Sequence, residues 1–130
     1  MSYCLDTNIV IDYLRGNEEI LNKIKNIPNQ DFCITTMTLC ELYKGAYLSS
    51  DIEENLTIIE EFIDNTEIIN LKKESCKTFG YEYEILKKKG KKTEEFDLLI
   101  ASICIEHNKT LVTRNKKHFE NINQLKLEIW

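Results

Sequence analysis

The chain opens on a short apolar run, Tyr3-Cys4-Leu5, that stops at a carboxylate, Asp6, and passes at once into an amphipathic segment with Ile9, Val10 and Leu14 on its apolar side. The run is too short for a buried helix and ends on turn-forming residues, so it reads as a buried strand feeding a helix. In open parallel sheets, ligands bind beyond the carboxyl ends of the strands, and Asp6 stands at such an end. What the chain can do therefore depends on which other groups reach the same edge.

The same alternation continues to the C-terminus. A helix from Ile9 to about Arg15 is closed by Gly16, and Asn17 caps a second that reaches about Ile27, before the breaker Pro28-Asn29. Phe32 to Thr35 is short, aromatic and β-branched, a second strand. Thr36 to about Leu48 is helical, with Leu39, Leu42, Tyr43, Ala46 and Tyr47 forming its stripe. Asp51 caps another helix whose core face carries Ile52, Leu56, Ile59, Phe62 and Ile63. Glu67–Leu71 is a third strand, and a helix from about Lys73 to Lys89 ends at Gly90. Thr93 caps a helix to about Asn108, Thr110–Thr113 is a fourth strand, Lys116–Glu120 a helical turn and Leu125–Trp130 a last strand. Strands alternating with helices imply an α/β fold: one domain over residues 1–130, a mainly parallel central β-sheet flanked by α-helices.

Composition narrows the function classes. With 42% hydrophobic residues and a single Pro among 130, the chain is expected to fold around a proper core. No apolar run approaches the roughly 20 residues that span a bilayer. The N-terminus lacks a basic start and cleavage site, so a cytoplasmic protein away from membranes is expected. Five cysteines, an odd count with no C-x-x-C pair, suit neither a zinc site nor a disulfide framework; they read as small core residues in a reducing compartment. The net charge of -5 is unevenly spread: residues 1–70 carry 4 Lys+Arg against 13 Asp+Glu, and residues 71–130 carry 13 against 9. That asymmetry is compatible with a local surface for an anionic ligand, and equally with an acidic half that attracts a basic partner.

Four residues stand out, each with a plainer role beside the chemical one. Asp6 is a good helix N-cap. Glu41 has the spacing from Thr38 of a capping box and lies off the main apolar stripe of its helix. Asp97 is the most informative. From Phe96 to Ile105, FDLLIASICI, only Asp97 and Ser102 are polar, so the helix is buried on most sides. An ionised carboxylate there is costly unless it is paired, hydrogen-bonded or metal-bound, and no Lys or Arg lies at i±3 or i±4. Its plainer role is a first-turn acid favoured by the helix dipole. Asn115, past the fourth strand, is either an N-cap for the turn that follows or an amide that accepts from water near a hard cation.

Taken together, these groups share one edge of a parallel sheet. Three carboxylates there repel one another and raise each other's pKa, and oxygen-only ligands suit Mg2+ or Mn2+, which remove that problem. His107 and His118 read as surface residues near helix ends. A cation held by carboxylates can activate water and clamp a phosphate oxygen. The lysine run Lys87-Lys88-Lys89-Gly90-Lys91-Lys92 shortly precedes Asp97, and Arg114, Lys116 and Lys117 flank Asn115. A solvated helix end explains the run as well as RNA contact does, with placement favouring contact through Lys91, Lys92, Arg114 and Lys116.

Leu5-Asp6-Thr7-Asn8, Thr38-x-x-Glu41-Leu42 with Gly45, Phe96-Asp97-Leu98-Leu99-Ile100-Ala101 and Leu111-Val112-Thr113-Arg114-Asn115 with Phe119, in that order, resemble the PIN-domain family, and within it the VapC-type toxins of toxin–antitoxin pairs. The resemblance covers nearly the whole chain. It implies a Mg2+- or Mn2+-dependent endoribonuclease with Asp6, Glu41 and Asp97 as metal-binding and catalytic acids. The family's fourth position, often Asp, is Asn115 here, one charge fewer toward a second metal. The resemblance also gives Thr7 and Thr113 a role in positioning ligands or water, Glu94 and Glu95 a supporting one, and implies homodimers, an RNA substrate and an antitoxin whose C-terminal segment covers the groove.

Two other classes compete. A receiver-like phosphorylation switch shares the α/β layout but wants adjacent acids after the first strand and an acceptor Asp after a middle strand; here Thr7-Asn8 follows Asp6, and the third strand ends near Asn70. A catalytically idle binding module would keep the fold and partner surface, against which stand three intact carboxylates.

Overall fold

Five short strands, all parallel, form a sheet in the order β3-β2-β1-β4-β5 in the computed structural model, which describes residues 2–28 and 31–130. The strands are β1 (Tyr3–Leu5), β2 (Phe32–Thr35), β3 (Glu67–Ile69), β4 (Thr110–Thr113) and β5 (Lys126–Ile129). The helices are α1 (Thr7–Leu14), α2 (Glu18–Lys25), α3 (Thr36–Leu48), α4 (Ile52–Ile63), α5 (Lys73–Lys88), α6 (Glu95–Glu106) and the single turn α7 (Lys116–Phe119). No described helix is long and apolar enough to cross a membrane.

Side chains alternate across a strand, and the two faces feed two cores. Cys4, Cys33 and Leu111 face Leu98, Ala101 and Cys104 of α6, with Leu86 of α5 and Phe119 of α7 in the same cluster. Leu5, Ile34 and Val112 face Ile9 and Val10 of α1, Ile20 of α2, Leu42 of α3 and Ile59 of α4. The apolar wrap of α6 is borne out: Leu98, Ile100, Ala101, Ser102, Ile103 and Cys104 are all buried. β1 is the hub. The chain leaves it toward β2 and β3 over one face and returns over the other to β4 and β5, so the sheet changes winding direction between β1 and β4, where parallel sheets open a crevice.

The local signals behave as their chemistry requires. Gly16 takes φ +80 after α1, a conformation costly for a side-chain-bearing residue. Asn17 accepts from Ile20 N–H at 3.1 Å and Asp51 from Glu54 N–H at 3.2 Å, each satisfying an orphan donor. Several expectations need correction. Glu94, not Thr93, occupies the cap position of α6, and it caps with its carbonyl alone. β3 ends at Ile69, because Asn70 and Leu71 turn out to solvent. Tyr47 is not in the α3 stripe but 62% exposed, and Ile52 is half out of the α4 face at 39%. Of the cysteines, Cys4, Cys33 and Cys104 are core, whereas Cys40 and Cys76 are exposed. Asn29 of the Pro28-Asn29 breaker lies outside the described residues.

Candidate active site

Asp6 leaves the end of β1 with its own N–H bonded to the Val112 carbonyl at 2.9 Å, which extends the β1–β4 ladder by one rung. It is 4% exposed, and both of its carboxylate oxygens are held. Oδ1 accepts from the Thr7 N–H at 2.9 Å, and Oδ2 accepts from the Thr113 hydroxyl at 2.7 Å. That hydroxyl in turn accepts the Asn115 N–H at 3.0 Å, so the turn after β4 is tied to the turn after β1. The capping role and the site role of Asp6 coexist, one oxygen serving each.

Glu41 projects from the second turn of α3. Thr35 is the N-cap there, accepting from Thr38 N–H at 3.2 Å, so the capping box centred on Thr38 does not form. The Glu41 Oε1 atom instead accepts from the Thr7 hydroxyl at 2.6 Å, and the buried Thr38 hydroxyl lies 3.1 Å from Thr7 Oγ1. Thr7 thus joins Asp6, through its N–H, to Glu41, through its hydroxyl.

Asp97 sits in the first turn of α6. Its partner is not on its own helix: Oδ2 lies 2.9 Å from His118 Nδ1 of α7. Burial pushes the Asp97 carboxyl above the usual carboxylate range, the charge of Asp6 pushes it further, and His118 pulls it back. Asp6 is likewise raised by burial, against the hydrogen bonds from Thr113 and Thr7. Asp97 therefore senses both Asp6 and Glu41, as expected of like charges sharing one low-dielectric edge. Among the described residues no three His, Cys, Asp or Glu side chains close up as a metal-holding cluster; Thr7, Thr113 and His118 hold the acids instead.

A family model for the PIN domain matches residues 3–125, a span that contains every one of these groups. The chain belongs to the PIN-domain family. This PIN domain is 30% identical over 132 residues to the ribonuclease VapC1 of Haemophilus influenzae, covering 100% of this chain and 98% of that protein. It is 29% identical over 130 residues to the tRNA(fMet)-specific endonuclease VapC of Salmonella typhimurium, at the same coverage. Among solved structures, VapBC2 from Rickettsia felis bound to a DNA fragment of its promoter contains a chain that superposes with TM-score 0.93 at 32% identity, over 100% of this chain and 99% of that one.

The other residues singled out from the sequence fall in three places around the PIN-domain edge. Asn115 holds the cap position of α7 without a side-chain cap bond, so the plainer reading of its amide is not realised. Glu94 and Glu95 are exposed at the start of α6, on the wall of an adjoining cavity that Lys91 and Lys92 also line. Lys116 is exposed on α7. Arg114 points elsewhere: its Nη1 pairs with Asp12 Oδ2 of α1 at 2.9 Å.

His118 and Thr38 gain their contacts with the site only in the structure: from sequence His118 reads as a surface residue and Thr38 as a motif and capping-box position. Both are within reach of helical spacing: His118 lies three residues after Asn115 and Thr38 three before Glu41, and such pairs share a helix face. In a run of Lys116-Lys117-His118, however, nothing in one dimension sets the imidazole apart from its solvated neighbours.

Proposed function

We propose that this PIN domain is a metal-dependent endoribonuclease of the VapC type, the toxin half of a toxin–antitoxin pair acting in the cytoplasm. The observation that carries it is the arrangement of Asp6, Glu41 and Asp97: oxygen donors from β1, α3 and α6 brought to the one edge where this sheet can bind a ligand. The named ribonuclease relatives support the same reading over the full length of the chain.

The donor set fits a hard divalent cation in kind, being oxygen-only, and burial raises the Asp6 and Asp97 carboxyls, a cost of ionisation that a bound cation would offset. Asp6, Glu41 and Asp97 would hold Mg2+ or Mn2+, which when bound supplies a Lewis acid that acidifies water and neutralises charge on a phosphate oxygen. The chain's own residues do the positioning. Thr113 and the Thr7 N–H fix the Asp6 carboxylate in one orientation, and the Thr7 hydroxyl does the same for Glu41. His118 holds Asp97 and brings a ring able to carry positive charge to the edge of the acidic cluster. Asn115 offers an amide oxygen to orient water without adding a charge. Thr7 and Thr113 are thus positioning residues, with Glu94 and Glu95 further out.

The partners follow from the same reading. The substrate is RNA. The VapBC assemblies among the structural relatives support an antitoxin partner. An apolar patch at the α3–α4 junction, where Tyr47 is 62%, Leu48 80% and Ile52 39% exposed, supports a protein-binding surface for the antitoxin or for a second copy in a homodimer.

The test is cleavage of a mixed, structured RNA pool with Mg2+, Mn2+ or EDTA, comparing wild type with Asp97→Asn. Metal-dependent cutting lost in a folded variant is the expected result. Equal cutting by the two proteins would overturn the assignment.

A further inference from the structure

Beside the acidic edge lies a cavity of about 640 Å3, lined by Tyr83, Lys87, Lys91, Lys92, Lys117 and His118 among others. Its volume is within the range of roughly 300–1,000 Å3 typical of ligand sites. Its lining carries more positive than negative charge. Four lysines outside it lie against carboxylates, Lys23 3.7 Å from Glu19, Lys77 3.8 Å from Glu74, Lys88 2.8 Å from Glu84 and Lys109 3.7 Å from Glu67, while Lys89 and Lys126 lie against amide oxygens. Among the described residues, none of the four cavity lysines has such a pair. Glu94 and Glu95 on the same wall offset half of their charge and leave an excess of two positive charges, before any proton on His118. Four unpaired ammonium groups around one concavity repel one another, and an anion relieves that repulsion.

The wall that carries them is built, not loose. Gly90 turns the chain with φ +67, and the Lys91 N–H returns to the Leu86 carbonyl at 2.9 Å, closing α5 in a tight C-terminal turn. Lys89 Nζ donates to Asn123 Oδ1 at 3.2 Å, and the Thr93 hydroxyl reaches the His118 carbonyl at 3.4 Å. The lysine loop is thereby pinned to the segments around α7 on both sides of Lys91 and Lys92.

His118 gives the cavity its direction. It forms part of the cavity wall and is the hydrogen-bond partner of Asp97, so a chain that leaves the carboxylates over His118 enters the cavity. Tyr83, 44% exposed, adds an aromatic face. A basic trough with an aromatic platform is the combination that holds single-stranded nucleic acid, phosphates on the cations and a base on the ring.

We propose that this cavity is a subsite for the single-stranded RNA immediately flanking the cleaved phosphate, with backbone phosphates on Lys87, Lys91, Lys92 and Lys117 and a base stacked on Tyr83. The proposal rests on the ribonuclease reading above and adds where the strand runs and in what form.

Binding tests it apart from cleavage. A short labelled single-stranded RNA is titrated in EDTA, over a series of salt concentrations, with wild type, Lys91→Ala/Lys92→Ala, Tyr83→Ala and two controls. The charge-matched control is Lys73→Ala/Lys77→Ala, at the start of α5, which meets the far end of α6 through Ser75 and Glu106. The aromatic control is Tyr81→Ala, on the same helix but off the cavity. The lysine variant is expected to bind roughly tenfold more weakly, with a salt slope shallower by about 1.4, at ~0.7 for each single-strand phosphate that the protein no longer neutralises. Tyr83→Ala is expected to bind roughly tenfold more weakly with its salt slope unchanged, the mark of lost stacking. Both controls keep wild-type affinity, and the same RNA annealed to its complement binds more weakly than the single strand. Affinity and slope unchanged in Lys91→Ala/Lys92→Ala, while wild type still cuts the RNA pool, would overturn the subsite and leave the ribonuclease standing. A wild type that neither binds nor cuts overturns both.

Discussion

The hydroxyl of Thr113 donates to Asp6 Oδ2 at 2.7 Å, so a side chain 107 residues away in sequence sets the carboxylate that ends the first strand. Both residues are buried, and the Asp6 carboxyl is already raised by that burial. Thr113→Val keeps the shape and removes the donor. Because hydrogen bonds to charged groups contribute about 1.5–3 kcal/mol, the variant should lose stability of that order in urea unfolding and lose most of its cleavage rate. Unchanged unfolding and unchanged cleavage would show the bond to be incidental.

Asp97→Asn should part stability from activity. The folded carboxyl of Asp97 is raised above 3.8 by burial and by the charge of Asp6, so the folded state holds its proton more tightly than the unfolded chain does. Stability therefore falls as pH rises from about that reference value through the raised folded value, and the ionised form is the one the fold disfavours. Without metal, the variant escapes that loss: near neutral pH it should unfold at an equal or higher urea midpoint than wild type while cutting no RNA. The gap should close on acidification toward 3.8, the ordinary carboxyl value. A variant clearly less stable than wild type at neutral pH would contradict this account of the site's electrostatics.

Divalent cations should act in the opposite sense to ionisation of the acids. A ligand that binds only the folded state at a hundredfold excess over its Kd adds about 2.7 kcal/mol of stability. Mn2+ or Mg2+ should raise the melting temperature of wild type, less so that of Asp6→Asn and of Glu41→Gln. Equal shifts in all three proteins would place the cation elsewhere.

The link from Thr7 to Glu41 can be tested by a pair of substitutions. Thr7→Val removes the donor at 2.6 Å, and Thr7→Ser keeps it. Valine is expected to slow cleavage roughly tenfold, the equivalent of about 1.4 kcal/mol in the barrier, with serine close to wild type. Similar losses in both variants would point to packing around the Thr7 methyl instead.

The sheet is readable in sequence because its strands are short, apolar and bounded. β2 and β4 fall on the residues their β-branched content indicates, and α6 is buried as its unbroken apolar surface demands. Asp6, Glu41 and Asp97 are legible as groups brought to one edge by strand ends and helix starts. What escapes are choices between chemically similar neighbours. Thr93 is a better cap than Glu94 by residue type, yet its hydroxyl reaches toward the His118 carbonyl in another element. His118 counts as a solvated end in sequence and gains its role only when α7 folds against the start of α6. Arg114 sits among basic neighbours in sequence, and its ion pair with Asp12 on α1 is not visible there. Each of these is a tertiary partner that local spacing does not encode.

The position of β1 between β2 and β4 also sets the order in which the site can assemble as the chain is made. Of the five strands the central one is made first, and β4, its neighbour on one side, is made fourth. Pairings this distant in sequence form late, since loop closure must come first. A growing chain thus carries Asp6 well before it has Thr113 to orient it or β4 to wall its crevice. A chain that stops before β4 would lack the Thr113 donor, so the orientation of Asp6 waits on a strand made 107 residues later.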